Sequence, residues 1–156
     1  MADELREEIS VLTPHGDPET WSVVAVAEDS GEWRVEASDK NRRVWTGSGS
    51  DLFDAFRALR ENPEAQGFRF LVVGARIDSW PTQMSRQMGG GAELVIRYRS
   101  PTLMLISNLL GYLRLRLPYR YIFSPAPASK VGTVAEQDAY QEEWLRRAVG
   151  FAERRP

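Results

Sequence analysis

The sequence predicts an α+β fold, an antiparallel or mixed sheet with packed helices in a single domain spanning 1–156. Three observations carry that expectation. Between Trp21 and Thr46, short β-favouring runs are separated by turns too brief for crossover helices. Two segments, 51–61 and 134–149, repeat apolar residues at helical spacing behind capping signals. The chain has 156 residues, 42% of them hydrophobic and none of them cysteine, so it can bury a core without disulfides or thiolate-bound metal.

In chain order, Asp3 to Val11 reads as a short helix ended by the turn-rich Thr13-Pro14-His15-Gly16-Asp17-Pro18. Strands follow at Trp21–Ala27, Trp33–Ala37 and Arg43–Thr46, with turns at Ser30-Gly31 and Asp39-Lys40-Asn41. Ser48 and Asp51 stand at capping-box spacing, with Ser50 as the alternative cap, and Leu52, Phe56 and Leu59 then share one helix face. Asn62-Pro63 is expected to stop or bend that helix. Phe68 to Ile77 reads as a central strand, because Leu71-Val72-Val73 has too few polar residues for an open sheet face. Trp80-Pro81, a short Thr82–Met88 helix and three glycines precede a strand over Ala92–Tyr98, which places Leu94, Ile96 and Tyr98 on one face. Thr102–Leu110 fits helix or strand, Leu113–Leu117 alternates as a strand, and Tyr119–Phe123 continues or re-enters the sheet. After Ser124-Pro125-Ala126-Pro127, Thr133 and Glu136 form a capping box ahead of Tyr140, Trp144, Leu145 and Val149, with Gly150 near the end.

Charge is sorted along the chain. Residues 1–67 hold 15 acids and 7 bases, residues 68–125 hold 2 acids and 8 bases, and the remainder balances. A net charge of −2 therefore hides two opposed fields that can orient a charged partner during encounter. The first ten residues lack the apolar core of a secretory signal. The longest apolar-rich stretch, Leu103–Leu117, includes Asn108, Arg114 and Arg116 and falls short of the roughly 20 residues that cross a bilayer. These features, with the missing cysteines, point to the cytoplasm and to no membrane partner, an amphipathic surface contact being the one membrane mode left.

Three groups stand out as candidate sites. The first is acidic: Glu28, Asp29, Glu32, Glu36 and Asp39 cluster around a predicted hairpin, with Trp33 and Trp45 as aromatic anchors for a basic partner. The second is an anion-recognition cluster of Arg76, Arg86, Gly89, Gly90 and Gly91, since guanidinium forks and glycine-rich turns both engage anions. Its competing reading is a loop in which Arg76 pairs with Asp78. The third interleaves Arg97, Arg99, Arg114, Arg116 and Arg120 with Tyr98, Tyr112, Tyr119 and Tyr121, an RNA-binding pattern opposed by the acidic first block.

Catalytic signals are weak. Neither GxxxxGK[ST] nor GxGxxG occurs, Gly47-Ser48-Gly49 fits helix capping better than phosphate binding, and HExxH and GxSxG are missing. The single histidine, His15, sits in an early turn beside Asp17 and Glu19. No catalytic residue, metal or cofactor is assigned.

Two stretches, GARIDSWPTQMSRQMGGG at 74–91 and FSPAPASKVGTVAEQDAYQEEW at 123–144, resemble elements of small bacterial proteins, some of them from toxin-immunity loci. They cover 40 residues, and no specific family is assigned. The resemblance implies an intracellular inhibitor that binds a cognate protein toxin; it supplies no catalytic residues. Stoichiometric protein binding is the leading expectation, with a small anionic-ligand protein or enzyme and an RNA-binding protein as alternatives. Nucleic acid is not favoured, and the sequence leaves the oligomeric state open.

Overall fold

A computed structural model describes residues 4–100 and 119–152, together with Leu103, Ile106 and Leu109. The described chain is α+β, as expected, with three helices and two antiparallel sheets.

The larger sheet is built from β1 (Glu4–Leu12), β2 (Pro18–Ala27), β3 (Trp33–Ser38), β4 (Val44–Gly49) and β5 (Arg69–Phe70), in the order β4-β3-β2-β1-β5. The meander is as predicted, but the expected helix at Asp3–Val11 is a strand. Its Ile9 and Val11 are buried while Glu4, Arg6, Glu8 and Ser10 are exposed, a period of two that suits only a half-buried strand. Antiparallel pairing with β2 from Glu4↔Val26 to Leu12↔Pro18 outweighs the helix preference of its glutamates and leucines.

One helix, α1 (Leu52–Ala65), covers one face of this sheet and buries Leu52, Phe53, Ala55, Phe56 and Leu59. Asp51 is its N-cap, accepting 2.8 Å from the Asp54 N–H. The predicted stop at Pro63 is displaced: the helix runs through it to Ala65. So close to the end, the missing proline N–H forfeits one helical bond, and the Pro63 carbonyl still accepts from Gln66 and Phe68. Gly47 and Gly49 let α1 rest directly on β4. A Cβ on Gly47 would overlap the backbone of Ala55 and Leu59, and one on Gly49 would lie 2.6 Å from the Ala55 nitrogen. Behind the helix, Trp21 stacks on Trp45 at 4.4 Å between ring centroids, with Phe68 and Phe70 closing around them.

Phe68–Ile77 is not the central strand. Only Arg69–Phe70 joins a sheet, at the edge against β1; Val72 and Arg76 make single bridges to Pro125 and Val131, and Val73–Ala75 turns as a 3-10 helix. Its apolar character reflects burial of Val72, Val73 and Ala75 beneath both α1 and the second sheet, without ladder pairing. That smaller sheet holds β6 (Ser79–Pro81), β7 (Glu93–Ile96) and β8 (Arg120–Tyr121) in the order β6-β7-β8. Between β6 and β7 lies α2 (Gln83–Gly89), capped by Thr82 and ended by left-handed Gly90 at φ 57°. The expected 92–98 and 119–123 strands thus shrink to β7 and β8. The predicted Leu113–Leu117 strand lies outside the described residues; in Thr102–Leu110, Leu103, Ile106 and Leu109 are helical.

The last helix, α3 (Val134–Ala152), begins at the predicted capping box: Thr133 Oγ1 accepts from the Glu136 N–H at 3.2 Å, and the Thr133 N–H donates to Glu136 Oε2 at 2.7 Å. Tyr140 docks the helix by donating its hydroxyl to the Arg97 carbonyl at 2.6 Å.

A buried polar hub joins α1, α3 and the 73–79 segment. Arg60, with no exposed surface, donates to Glu64 Oε1 at 2.7 Å and to the Gly74 and Gly132 carbonyls and Gln137 Oε1. Gln137 Nε2 donates to the carbonyls of Gly74, Arg76 and Ser79. Glu64 Oε2 accepts from the Val134 N–H at 2.8 Å, so the same carboxylate satisfies an orphan donor at the start of α3. Burial pulls the Arg60 pKa down; the charge of Glu64 and its hydrogen bond oppose that pull.

Candidate functional site

Because α1 covers only one face of the larger sheet, the other face points outward. It presents Glu4, Arg6, Glu8 and Ser10 from β1, Thr20, Ser22, Val24 and Val26 from β2, Arg34, Glu36 and Ser38 from β3, and Val44, Thr46 and Ser48 from β4. Cross-strand pairing arranges these in rows, such as Thr46-Glu36-Val24-Arg6 and Val44-Ser38-Ser22-Glu8. At one end of this face the β2–β3 hairpin closes through Glu28 N–H to the Glu32 carbonyl at 2.8 Å and Gly31 N–H to the Glu28 carbonyl at 2.9 Å.

The acidic candidates divide here. Asp29, Glu32 and Glu36 are exposed and hold no ion pair among the described residues, while Glu28 is salt-bridged to Arg34 at 2.7 Å. Asp39 does not belong to the patch. Its side chain is hidden and locks the β3–β4 turn, Oδ1 accepting from the Asn41 and Arg43 N–H groups and Oδ2 from Arg43 Nε at 2.7 Å. Burial would raise its pKa, but the Arg43 and Asn41 bonds prevail and hold the carboxyl below the ordinary aspartate value.

Both expected aromatic anchors also turn inward. Trp33, Val35 and Ala37 share the α1-facing side of β3, where Gly90 lies so close to Trp33 that a Cβ would meet Cζ2 at 2.9 Å. Trp45 stacks on Trp21 and carries the Arg43 guanidinium over its ring at 5.3 Å. The alternation of Trp33 with Val35 and Ala37 is the sequence signal that assigns this tryptophan to the core. The same alternation marks Val24, Val26 and Val44 as apolar members of the outer face, which the reading centred on tryptophan passed over.

The anion cluster separates in the structure. Arg76 is held bidentately by Asp78 at 2.8 Å through both bonds, and that contact raises its pKa. Arg86 reaches Asp51 at 2.5 Å and Asp54 at 3.0 Å. Gly91 closes on the Asp51 carboxylate, where a Cβ would lie 2.9 Å from Cγ; together with Gly90 it serves close packing, while Gly89 is open. Each guanidinium faces a carboxylate of the chain itself, which corrects the expectation of a shared anion site.

In the basic group, Arg97 stacks over Trp144 at 4.3 Å and Arg99 over Tyr140 at 4.6 Å, while Tyr98 stays exposed. Burial lowers the Arg97 pKa. Arg114 and Arg116 lie outside the described residues. His15 is exposed in the β1–β2 turn, and among the described residues no group of His, Cys, Asp and Glu is arranged to hold a metal. An open groove of about 440 Å³ between α1 and α3 is lined by Glu61, Glu64 and Asp138 among others, but Glu64 is committed to Arg60 and Asp138 to Arg57.

Electrostatically, the acid-rich and base-rich blocks remain largely separate. Among the described residues, the ion pairs between 1–67 and 68–125 are those of Arg86 with Asp51 and Asp54; the rest fall within a block or involve the C-terminal block 126–156. The sequence matches no known family model and no curated protein.

Proposed function

We propose that this protein is a stoichiometric protein-binding module, an immunity-type inhibitor that occludes a basic surface of a cognate bacterial toxin. The observation that carries this reading is the outward sheet face and its hairpin, where Asp29, Glu32 and Glu36 are exposed and hold no ion pair among the described residues. Carboxylates left free on a rigid ladder steer a cationic partner and fix its register. Val24, Val26 and Val44 take over the apolar role first given to the tryptophans. An exposed face suits recognition of another protein's surface, whereas the arginines of the small-anion alternative are engaged internally.

The test is co-expression with the candidate toxin encoded beside its gene. A 1:1 complex and protection of the cells are expected for the wild type, and loss of both for Glu32→Lys/Glu36→Lys. A complex that survives charge reversal at both positions removes the acidic face from the mechanism. No complex with the toxin rejects the immunity reading itself.

A further inference from the structure

The strands β7 and β8 are neighbours in the smaller sheet, although more than twenty residues separate them in sequence. Leu94 and Arg120 are cross-strand partners in that sheet, so the two ends of 97–119 are neighbours. Three described residues between these strands are unusually apolar for a water-facing surface. Leu103, Ile106 and Leu109 are helical and 47%, 46% and 54% exposed. At helical spacing the three fall within about 120° of arc, one side of a helix. Exposed tyrosines stand at both ends, Tyr98 and Tyr119, each beside an exposed arginine, Arg99 and Arg120. From Leu94 to Ala135 the sequence holds no acid, while Arg97, Arg99, Arg114, Arg116, Arg120 and Lys130 are all basic.

We infer that this face docks on the surface of an anionic lipid bilayer. Each feature has its counterpart there: aliphatic side chains enter the boundary between headgroups and acyl chains, tyrosines sit at headgroup level, and arginines meet lipid phosphates. The acid-free run of 42 residues is the complementary half of the argument, since an anionic surface repels carboxylates; the acid that borders it, Glu93, lies on β7 opposite Tyr121. Docking here differs from spanning; among the described residues no helix is long and apolar enough to cross a membrane. The inference departs from the expectation that the chain has no membrane partner, and it is independent of the toxin reading.

The test is co-sedimentation of the full chain with vesicles of phosphatidylcholine alone and of phosphatidylcholine mixed with phosphatidylglycerol. Binding to the mixed vesicles only, weakened by salt, is expected. Leu103→Ser/Ile106→Ser/Leu109→Ser abolishes it, and Arg99→Gln/Arg120→Gln weakens it by about fivefold per arginine. Circular dichroism checks that each variant is folded, and Leu109→Ser alone replaces a triple variant that is not. No binding to mixed vesicles, equal binding to both kinds, or folded variants that bind like wild type overturns the proposal. So does lipid-free self-association that the serine changes dissolve, which assigns the face to a second copy of the chain.

Discussion

Arg60 Nε and Glu64 Oε1 lie 2.7 Å apart, one turn apart on α1, with both side chains almost wholly hidden from solvent. A buried pair of this kind offsets its own desolvation only when further hydrogen bonds satisfy it, and four of the five guanidinium N–H groups and both carboxylate oxygens are bonded. Here the rest of the guanidinium meets the Gly74 and Gly132 carbonyls and Gln137, and the second carboxylate oxygen takes the Val134 N–H.

Arg60→Met should therefore be costly, at about 3–5 kcal/mol, because Glu64 is left charged and buried without its cation. Glu64→Gln should cost less than Arg60→Met, since its amide oxygen can still accept from one of the two donors. Urea unfolding followed by circular dichroism gives both values. Equal stability of Arg60→Met and wild type would show that the hub adds nothing.

Close approach of α1 to β4 depends on residues without side chains. Gly47→Ala should destabilise by about 1–3 kcal/mol, the usual cost of overpacking, because the new methyl meets helix backbone that can move only as a unit. Gly16→Ala, where a Cβ meets nothing, provides a comparison limited to the strain of its φ of +88°. Thermal unfolding of the two variants separates overlap from backbone strain.

Within the acidic hairpin region, stability and binding should divide by residue. Asp39→Asn is expected to destabilise, as the turn loses a carboxylate bonded by two backbone N–H groups and Arg43. Glu32→Lys and Glu36→Lys, at exposed positions, should stay within about 0.5 kcal/mol of wild type while removing toxin binding. Denaturation midpoints measured beside complex formation check the division.

Tyr121 should carry part of the pH dependence at the alkaline end, beside Tyr140, whose pKa is also raised by burial. Burial, with the charge of Glu7 and a 3.1 Å hydrogen bond to it, pushes the Tyr121 phenol from 10.0 up to about 12. A raised folded pKa means that the unfolded chain loses its proton first. The contribution is complete below about pH 10 and is lost as pH rises through about 12. Tyr121→Phe should therefore show a shallower fall in stability across that window, and its difference absorbance spectrum against wild type should place one phenolate near the top of it.

Elements with a local signature were legible in the sequence. Thr133 and Glu136 mark the start of α3 by a reciprocal pair of bonds within four residues, and the short turns of the meander dictate antiparallel neighbours. What depended on tertiary contacts was not. Glu4–Leu12 carries leucine and glutamate, residues common in helices, and becomes a strand because β2 pairs with it along its length. Val72 and Val73 look like ladder residues, yet they are apolar because two layers cover them. At the site, the charge of Glu32 and Glu36 was readable at once. That Asp39 turns inward required the partner Arg43 in position, and Trp33 was misplaced by counting its aromaticity above its parity with Val35.

The pairing of Leu94 with Arg120 has a modular consequence. Because these two strands lie side by side, a substitute connection begun beyond Arg99 would leave that pairing and the contacts of Arg97 and Arg99 with α3 in place. A chimera joined at that junction should therefore keep the small sheet and the docking of α3, which its thermal unfolding beside wild type reads out.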